Sequence, residues 1–267
     1  MESSENEKDV LMEFLSFTLQ SSEPILEKFS KLSGAIVHID GEKKNFVYVP
    51  GSREDRVVLV AHSDTVWDIF WKPFLAKRKN LPIPEPDPPR EHHLIFEDGI
   101  FRQGGSNEWG IGADDRAGCA MLWLLRNSGH SLLITDGEEH GQIGANHLMN
   151  NYPEIADELN SHRYMIQLDR REATGFKSYN IPVTKEFHKY IEEQTHYTDV
   201  PNSRGRTDII PLCRNICGVN FSVGYYDEHK PFESLIYDEW LHTLQMVRKL
   251  LQKEQPYFPL EHESNTN

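Results

Sequence analysis

From Gly104 onward the sequence alternates short apolar runs with amphipathic stretches, and this alternation restricts the fold more than any other feature. Positions 131–135, 164–168 and 216–223 are short apolar runs bounded by polar residues, which predicts strands. Upstream, 57–61 is apolar at every position, as expected of a strand covered on both faces. Between these runs helical spacing predicts helices over 115–126 (Ala117, Ala120, Met121, Leu124, Leu125), 142–150, 154–159, 185–194 and 235–251. Strand and helix in turn predict an α/β fold with a mostly parallel central sheet flanked by helices. In such sheets ligands gather beyond the carboxyl ends of the strands.

The rest of the chain fits around this unit. Apolar spacing predicts two short helices over 9–32, broken near Ser21 to Pro24, and the stretches 35–40 and 45–50 are strand-like around Asp40-Gly41. The segment 72–90 holds six prolines and excludes helix or central strand, and a hairpin follows over 94–101, turning at Asp98-Gly99. We therefore expect a single domain over 1–267, with a proline-rich loop and hairpin excursion over 72–103. At 267 residues the chain buries a full core without disulfides or a structural metal.

Charge and cysteine usage narrow the functional classes. Lys and Arg number 28 against 42 Asp and Glu, a net charge of −14, which disfavours nucleic acid or an anionic membrane as the main partner. No apolar run approaches the roughly 20 residues that span a bilayer. The first residues, MESSENEKDVLMEF, are acidic where a signal peptide is basic. Cys119, Cys213 and Cys217 are too few for a disulfide framework, and we expect Cys213 and Cys217 to be small buried residues. A cytoplasmic location is the expectation.

Each expected strand delivers a histidine or a carboxylate to one edge of the sheet. The first ends at His62-Ser63-Asp64; Gly112-Ala113-Asp114-Asp115 opens a helix; 131–135 ends at Asp136-Gly137-Glu138-Glu139; 164–168 ends at Asp169; and His229 follows 216–223. Taken singly these have ordinary uses: Asp114-Asp115 as helix-capping acids, Glu138-Glu139 as a solvated loop, His62 as a satisfied histidine. Together they crowd acids whose pKa values would rise without compensating positive charge. Two divalent ions would offset Asp114, Glu139 and Asp169 and leave the histidines neutral. Imidazole with carboxylate suits zinc, with manganese or cobalt as substitutes.

These motifs, with Asp114-Asp115-Arg116-Ala117-Gly118 and Glu228-His229-Lys230-Pro231-Phe232-Glu233, resemble the successive signatures of the co-catalytic di-zinc exopeptidases. That superfamily includes peptidase T, acetylornithine deacetylase, succinyl-diaminopimelate desuccinylase, glutamate carboxypeptidase and bacterial di-zinc aminopeptidases. The resemblance runs from about Val57 to Leu251. It implies a zinc-exopeptidase-like (phosphorylase/hydrolase-like) fold in which Asp114 bridges two metals. His62 and Asp169 would complete one site, Glu139 and His229 the other. It further implies Asp64 as the carboxylate orienting His62, Glu138 as the general base beside the bridging water, and a cis Asp114-Asp115 peptide. The chemistry implied is amide hydrolysis by metal-bound hydroxide. An exopeptidase on short peptides leads; a deacylase of N-acylated amino acids, or a non-catalytic metal-binding module, are the alternatives.

Many members insert a lid domain between the third acid and the last histidine. Here Asp169 and His229 are only 60 positions apart, which favours the single-domain, aminopeptidase-like branch. Arg116 stands where the two-domain members usually carry Lys, a change of geometry rather than charge. Among other polar residues, Arg170-Arg171 reads as an exposed charged pair or a grip on a substrate carboxylate. Asp208, near Arg204 and Arg206, is a candidate to orient a ligand or substrate amine. Tyr225 and Tyr226 read as packing aromatics, with a hydroxyl offered to the oxyanion as the alternative, and His92, His93 and His140 as surface residues. No His-Glu-x-x-His is present, which excludes the helix-borne zinc protease class.

Overall fold

The structure is a computed structural model that describes residues 6–40, 42–68, 76–77, 79–82, 92–105, 109–201 and 205–261. Apart from 76–77 and 79–82, the proline-rich stretch 72–90 lies outside the described residues, as does Arg204. Two helices, α1 (Glu7–Ser16) and α2 (Glu23–Ser30), precede β1 (Ile36–His38), β2 (Phe46–Val49) and β3 (Val58–His62). The hairpin β4 (Leu94–Glu97) and β5 (Ile100–Gln103) leads to α3 (Ala113–Leu125) and β6 (Ser131–Thr135). Then come a 3₁₀ turn (Glu138–His140), α4 (Ile143–Asn151), α5 (Pro153–Leu159), β7 (Met165–Arg170) and β8 (Gly175–Lys177). The chain continues through α6 (Lys185–Thr195), β9 (Thr198–Asp199), α7 (Ile209–Leu212), β10 (Gly218–Ser222), β11 (Tyr225–Tyr226), β12 (Ser234–Ile236) and α8 (Tyr237–Leu251).

Eight strands form one mixed sheet in the order β1-β2-β6-β3-β7-β10-β8-β9. Its centre, β6-β3-β7-β10, is parallel, as the alternating pattern predicts. All five residues of β3 are buried because both faces are covered. Leu59, Ala61, Ile166, Leu168, Val219 and Phe221 face a core shared with Phe14 of α1, Met121 of α3 and Trp240 of α8. Their neighbours Val58, Val60 and Met165 pack the other way, against Leu148, Leu159 and Ile209. Strand register therefore fixes which residues end at the functional edge: His62 pairs with Thr135 where β3 and β6 both finish.

The hairpin turns at Asp98 (φ 51) and Gly99 (φ 79), a two-residue corner that requires positive φ at both positions. It joins β12 and β11 in a separate antiparallel sheet. Here the structure differs from the sequence expectation. The last helix does not begin at Leu235, because Ser234–Ile236 pair with Arg102, Phe101 and Ile100 of β5 and become a strand. The helix expected over 115–126 starts at Ala113, but Asp114 and Asp115 depart from helical angles and are joined by a cis peptide. Among the described residues no helix is long and apolar enough to cross a membrane. Cys213 and Cys217 are buried, as expected, and Cys119 is buried too.

Candidate functional site

His62 occupies the last position of β3 and is 1% exposed. Its main-chain N–H donates to Asp115 Oδ2 at 3.1 Å, and Asp115 Oδ1 accepts the Gly118 amide at 3.0 Å, so one carboxylate locks the strand end to α3. The ring Nδ1 lies 3.1 Å from the Asp64 main-chain oxygen and 3.3 Å from Asp64 Oδ1. Its Nε2 faces Asp114 Oδ1 at 3.1 Å and Asp169 Oδ1 at 3.4 Å. On the other side His229 Nε2 lies 3.0 Å from Asp114 Oδ2 and 3.0 Å from Glu139 Oε2. The result is two triads, His62–Asp114–Asp169 and Asp114–Glu139–His229, that share Asp114 through its two oxygens. Within each triad the ligand atoms lie within 4.8 Å of one another, close enough to hold a metal ion.

The surrounding structure aims these groups. Asp169 Oδ2 accepts from Gln167 Nε2 (2.9 Å) and Thr207 Oγ1 (2.8 Å), which leaves Oδ1 facing His62. Asp64 Oδ1 accepts the main-chain amides of Gly137 (2.8 Å) and Glu138 (3.1 Å), which fixes the turn after β6. The Glu138 carboxylate lies 3.9 Å from His62 Nε2 and belongs to neither triad. A buried acid absent from the sequence-derived site, Glu233, holds the other loop: Oε2 accepts from Ile111 (2.8 Å) and Gly112 (2.7 Å), and Oε1 from the Asp114 amide (3.2 Å). It closes the Glu228–Glu233 motif, but its distance along the chain from Asp114 hides its partners, and the pairing of β12, which it precedes, with β5 brings the two loops together. Arg116 points away from the cleft and donates to the main-chain oxygens of Thr18 (2.6 Å) and Phe14 (3.5 Å).

A cleft of about 550 Å³ opens over the site, lined by Asp114, Asp169, Glu139 and His229 of the triads, by Glu138 and by Tyr179, Arg171, Arg206 and Glu228. His140, expected as a surface residue, lines it too. Arg170 is not half of an exposed pair: it ends β7, in the middle of the sheet, and is 8% exposed. Its neighbour Arg171 is exposed and pairs with Glu228 at 2.6 Å. Asp208 is fully buried and accepts from Thr135 Oγ1, beneath the cleft rather than in it. Tyr225 is buried and donates to the Asp169 main-chain oxygen at 3.0 Å; Tyr226 donates to Glu239.

Burial dominates the electrostatics. It lifts Glu138 well above the carboxylate range, helped by Asp169, and pushes Glu139 up to about 8, helped by Asp114. Asp169 is raised for the same reason. Burial opposes charge on the histidines, yet the carboxylates outweigh it. Asp169 and Asp114 hold His62 well above its ordinary value, and Asp114 and Glu139 push His229 up to about 11. The pocket thus gathers positive charge wherever it can, and protons supply it. Glu139 Oε1 is buried without a hydrogen-bond partner, as expected where a cation is the missing partner.

No protein-family model matches the sequence, and no curated protein matches it. Solved structures do. The aminopeptidase PepT from Bacillus cereus superposes with a TM-score of 0.63 at 15% identity, covering 94% of this chain and 98% of that one. A tripeptidase from Staphylococcus aureus gives 0.63 at 15% identity, covering 94% and 100%. The TET1 peptidase of Pyrococcus horikoshii gives 0.61 at 14% identity, covering 92% and 99%. These three neighbours are named an aminopeptidase, a tripeptidase and a peptidase, and the fold expected from the motif resemblance is the fold found.

Proposed function

We propose that the chain is a di-metal hydrolase of amide bonds, an exopeptidase of aminopeptidase type acting on short peptides. The observation that carries this is the sharing of Asp114 between two triads, with a free carboxylate, Glu138, beside them. His62, Asp114 and Asp169 would hold one ion, and Asp114, Glu139 and His229 the second. Zinc suits this imidazole and carboxylate set, with manganese or cobalt as substitutes. When bound, such a pair supplies Lewis acidity, polarising the scissile carbonyl and making water acidic enough to attack at neutral pH.

The chain's own groups then have distinct tasks. Asp64 orients His62 and, through two amides, the turn that carries Glu138. Glu138 takes the proton of the attacking water and returns it to the leaving nitrogen. Burial raises its pKa in the metal-free pocket, and two bound dications beside it would lower it again, leaving the carboxylate ionised to accept that proton. The cleft admits a short peptide rather than a folded chain, and its neighbours in fold are peptidases.

A panel of aminoacyl, carboxyl-terminal and N-acetyl substrates, run after loading with zinc, manganese or cobalt, tests the reading. Cleavage from a free amino terminus is expected. Activity confined to N-acylated amino acids would replace the exopeptidase with a deacylase, and failure to bind any of these ions would leave only a scaffold.

Metal uptake itself has a pH signature. At pH 7 His229, with a pKa of about 11, and Glu139, at about 8, carry protons in the metal-free pocket. An ion bound through both must displace them, so protons are released and affinity rises as pH rises. Zinc titration calorimetry at pH 7, in two buffers of different ionisation enthalpy, is expected to give different heats. Identical heats would mean that these residues do not bind the ion.

A further inference from the structure

Outside the triads the structure buries further cations close to the site, Arg116, Arg170 and Lys43 among them. Lys43, in the connection between β1 and β2, has a side chain only 7% exposed. Lysine is almost never buried unless paired. Here the ammonium donates to Ser22 Oγ at 2.8 Å, to Asp136 Oδ1 at 3.2 Å and to Asp68. Asp136 Oδ2 in turn accepts from Ser22 Oγ at 3.0 Å and Asn45 Nδ2 at 2.7 Å. The ammonium thereby joins three connections, those after β1, β3 and β6. Its main chain is equally close: a Cβ added at Gly137 would stand 2.9 Å from the Lys43 oxygen, and Gly137 itself needs φ 76. Lys43 adopts φ 62, a left-handed conformation that residues with side chains adopt only where the surroundings impose it.

We propose that Lys43 is a positioning residue for the Glu138–Glu139 turn. Its ammonium anchors Asp136 from one side while Asp64 Oδ1 holds the Gly137 and Glu138 amides from the other. Lys43 touches neither triad; it acts through Asp136, the first residue of the turn. Burial disfavours its charge, but Asp136 and Asp68 outweigh that and keep it protonated. Without it Asp136 and Asp68 would share a buried space as uncompensated carboxylates, and their repulsion would displace the turn. What the turn does rests on the function proposed above; how it is held does not.

Two variants test this, Lys43→Met and the charge-balanced pair Lys43→Met with Asp136→Asn. The pair leaves Asp68 alone ionised, which preserves the net charge of the trio. Hydrogen exchange at the Gly137 and Glu138 amides, compared with the amides of β3, reads the turn directly. In Lys43→Met that exchange is expected to quicken by about tenfold or more. Zinc affinity and kcat should fall by about 10- to 100-fold with KM little changed. The pair should return to within about threefold of wild type. Wild-type exchange at both amides in Lys43→Met, with only the melting temperature lowered, would overturn the proposal. So would a charge-balanced pair as impaired as the single variant. Should Lys43→Met not fold, a folded pair with near wild-type exchange supports the role, and a folded pair with fast exchange overturns it. If the wild-type protein binds no zinc and cleaves nothing, the proposed function fails, and the exchange measurement still decides the role of Lys43.

Discussion

Replacing Asp114 by Asn is expected to empty both cation sites at once. Each oxygen of Asp114 faces a different histidine, His62 at 3.1 Å and His229 at 3.0 Å, so its charge serves both triads. Removing that charge leaves each ion one carboxylate and one imidazole, too little to hold a divalent ion against water. The amide keeps the side-chain volume, and the loop is secured through the main chain by Glu233, so the polypeptide stays in place. With the Lewis acidity gone, kcat/KM should drop by about 10³-fold or more, since it contributes several kcal/mol and each factor of ten needs 1.36. Metal analysis after dialysis gives the decisive contrast. Asp169→Asn and Glu139→Gln each touch one triad and should lose one ion, whereas Asp114→Asn should lose both. An Asp114→Asn protein that keeps a full complement, or loses only one ion, would show that Asp114 is not shared.

The parts of this site that could be read in the sequence are those at which an apolar run stops. Val57 to Ala61 and Ser131 to Thr135 are buried on both faces, so the first polar side chains after them had to emerge at the sheet edge. His62 and the Glu138-Glu139 pair are found there. What was hidden depends on long-range pairing or on where a strand ends. Glu233 is visible as the end of the His229 motif but has no assigned role until the approach to β12 carries it to the amides of Ile111, Gly112 and Asp114, about 120 residues away. Lys43 sits in a polar turn, where solvent exposure is the ordinary expectation, and is buried only because Asp68 and Asp136 converge on it. Arg170 misleads for a third reason. Its strand is expected to end at Leu168, whereas β7 continues through Arg170 and carries that side chain into the sheet. The helical spacing of 235–251 likewise conceals β12, since Leu235 fits a helix face as well as a strand.

Glu138→Gln is expected to keep its metal and lose its turnover. The amide has the same shape, and the turn is fixed through the Gly137 and Glu138 main-chain amides on Asp64, neither of which the substitution alters. The two triads remain complete, because Glu138 is in neither. Metal content and KM should therefore match wild type, while kcat falls by roughly 10²-fold or more, the usual contribution of a placed general base. The chemistry of the replacement sharpens the test, because an amide of the same shape accepts no proton at any pH. Any acid limb of the rate profile that belongs to Glu138 should vanish in the variant. Turnover close to wild type would assign the proton transfer elsewhere. Loss of metal along with activity would make Glu138 a ligand, and Asp114→Asn and Glu138→Gln would then no longer be separable by composition.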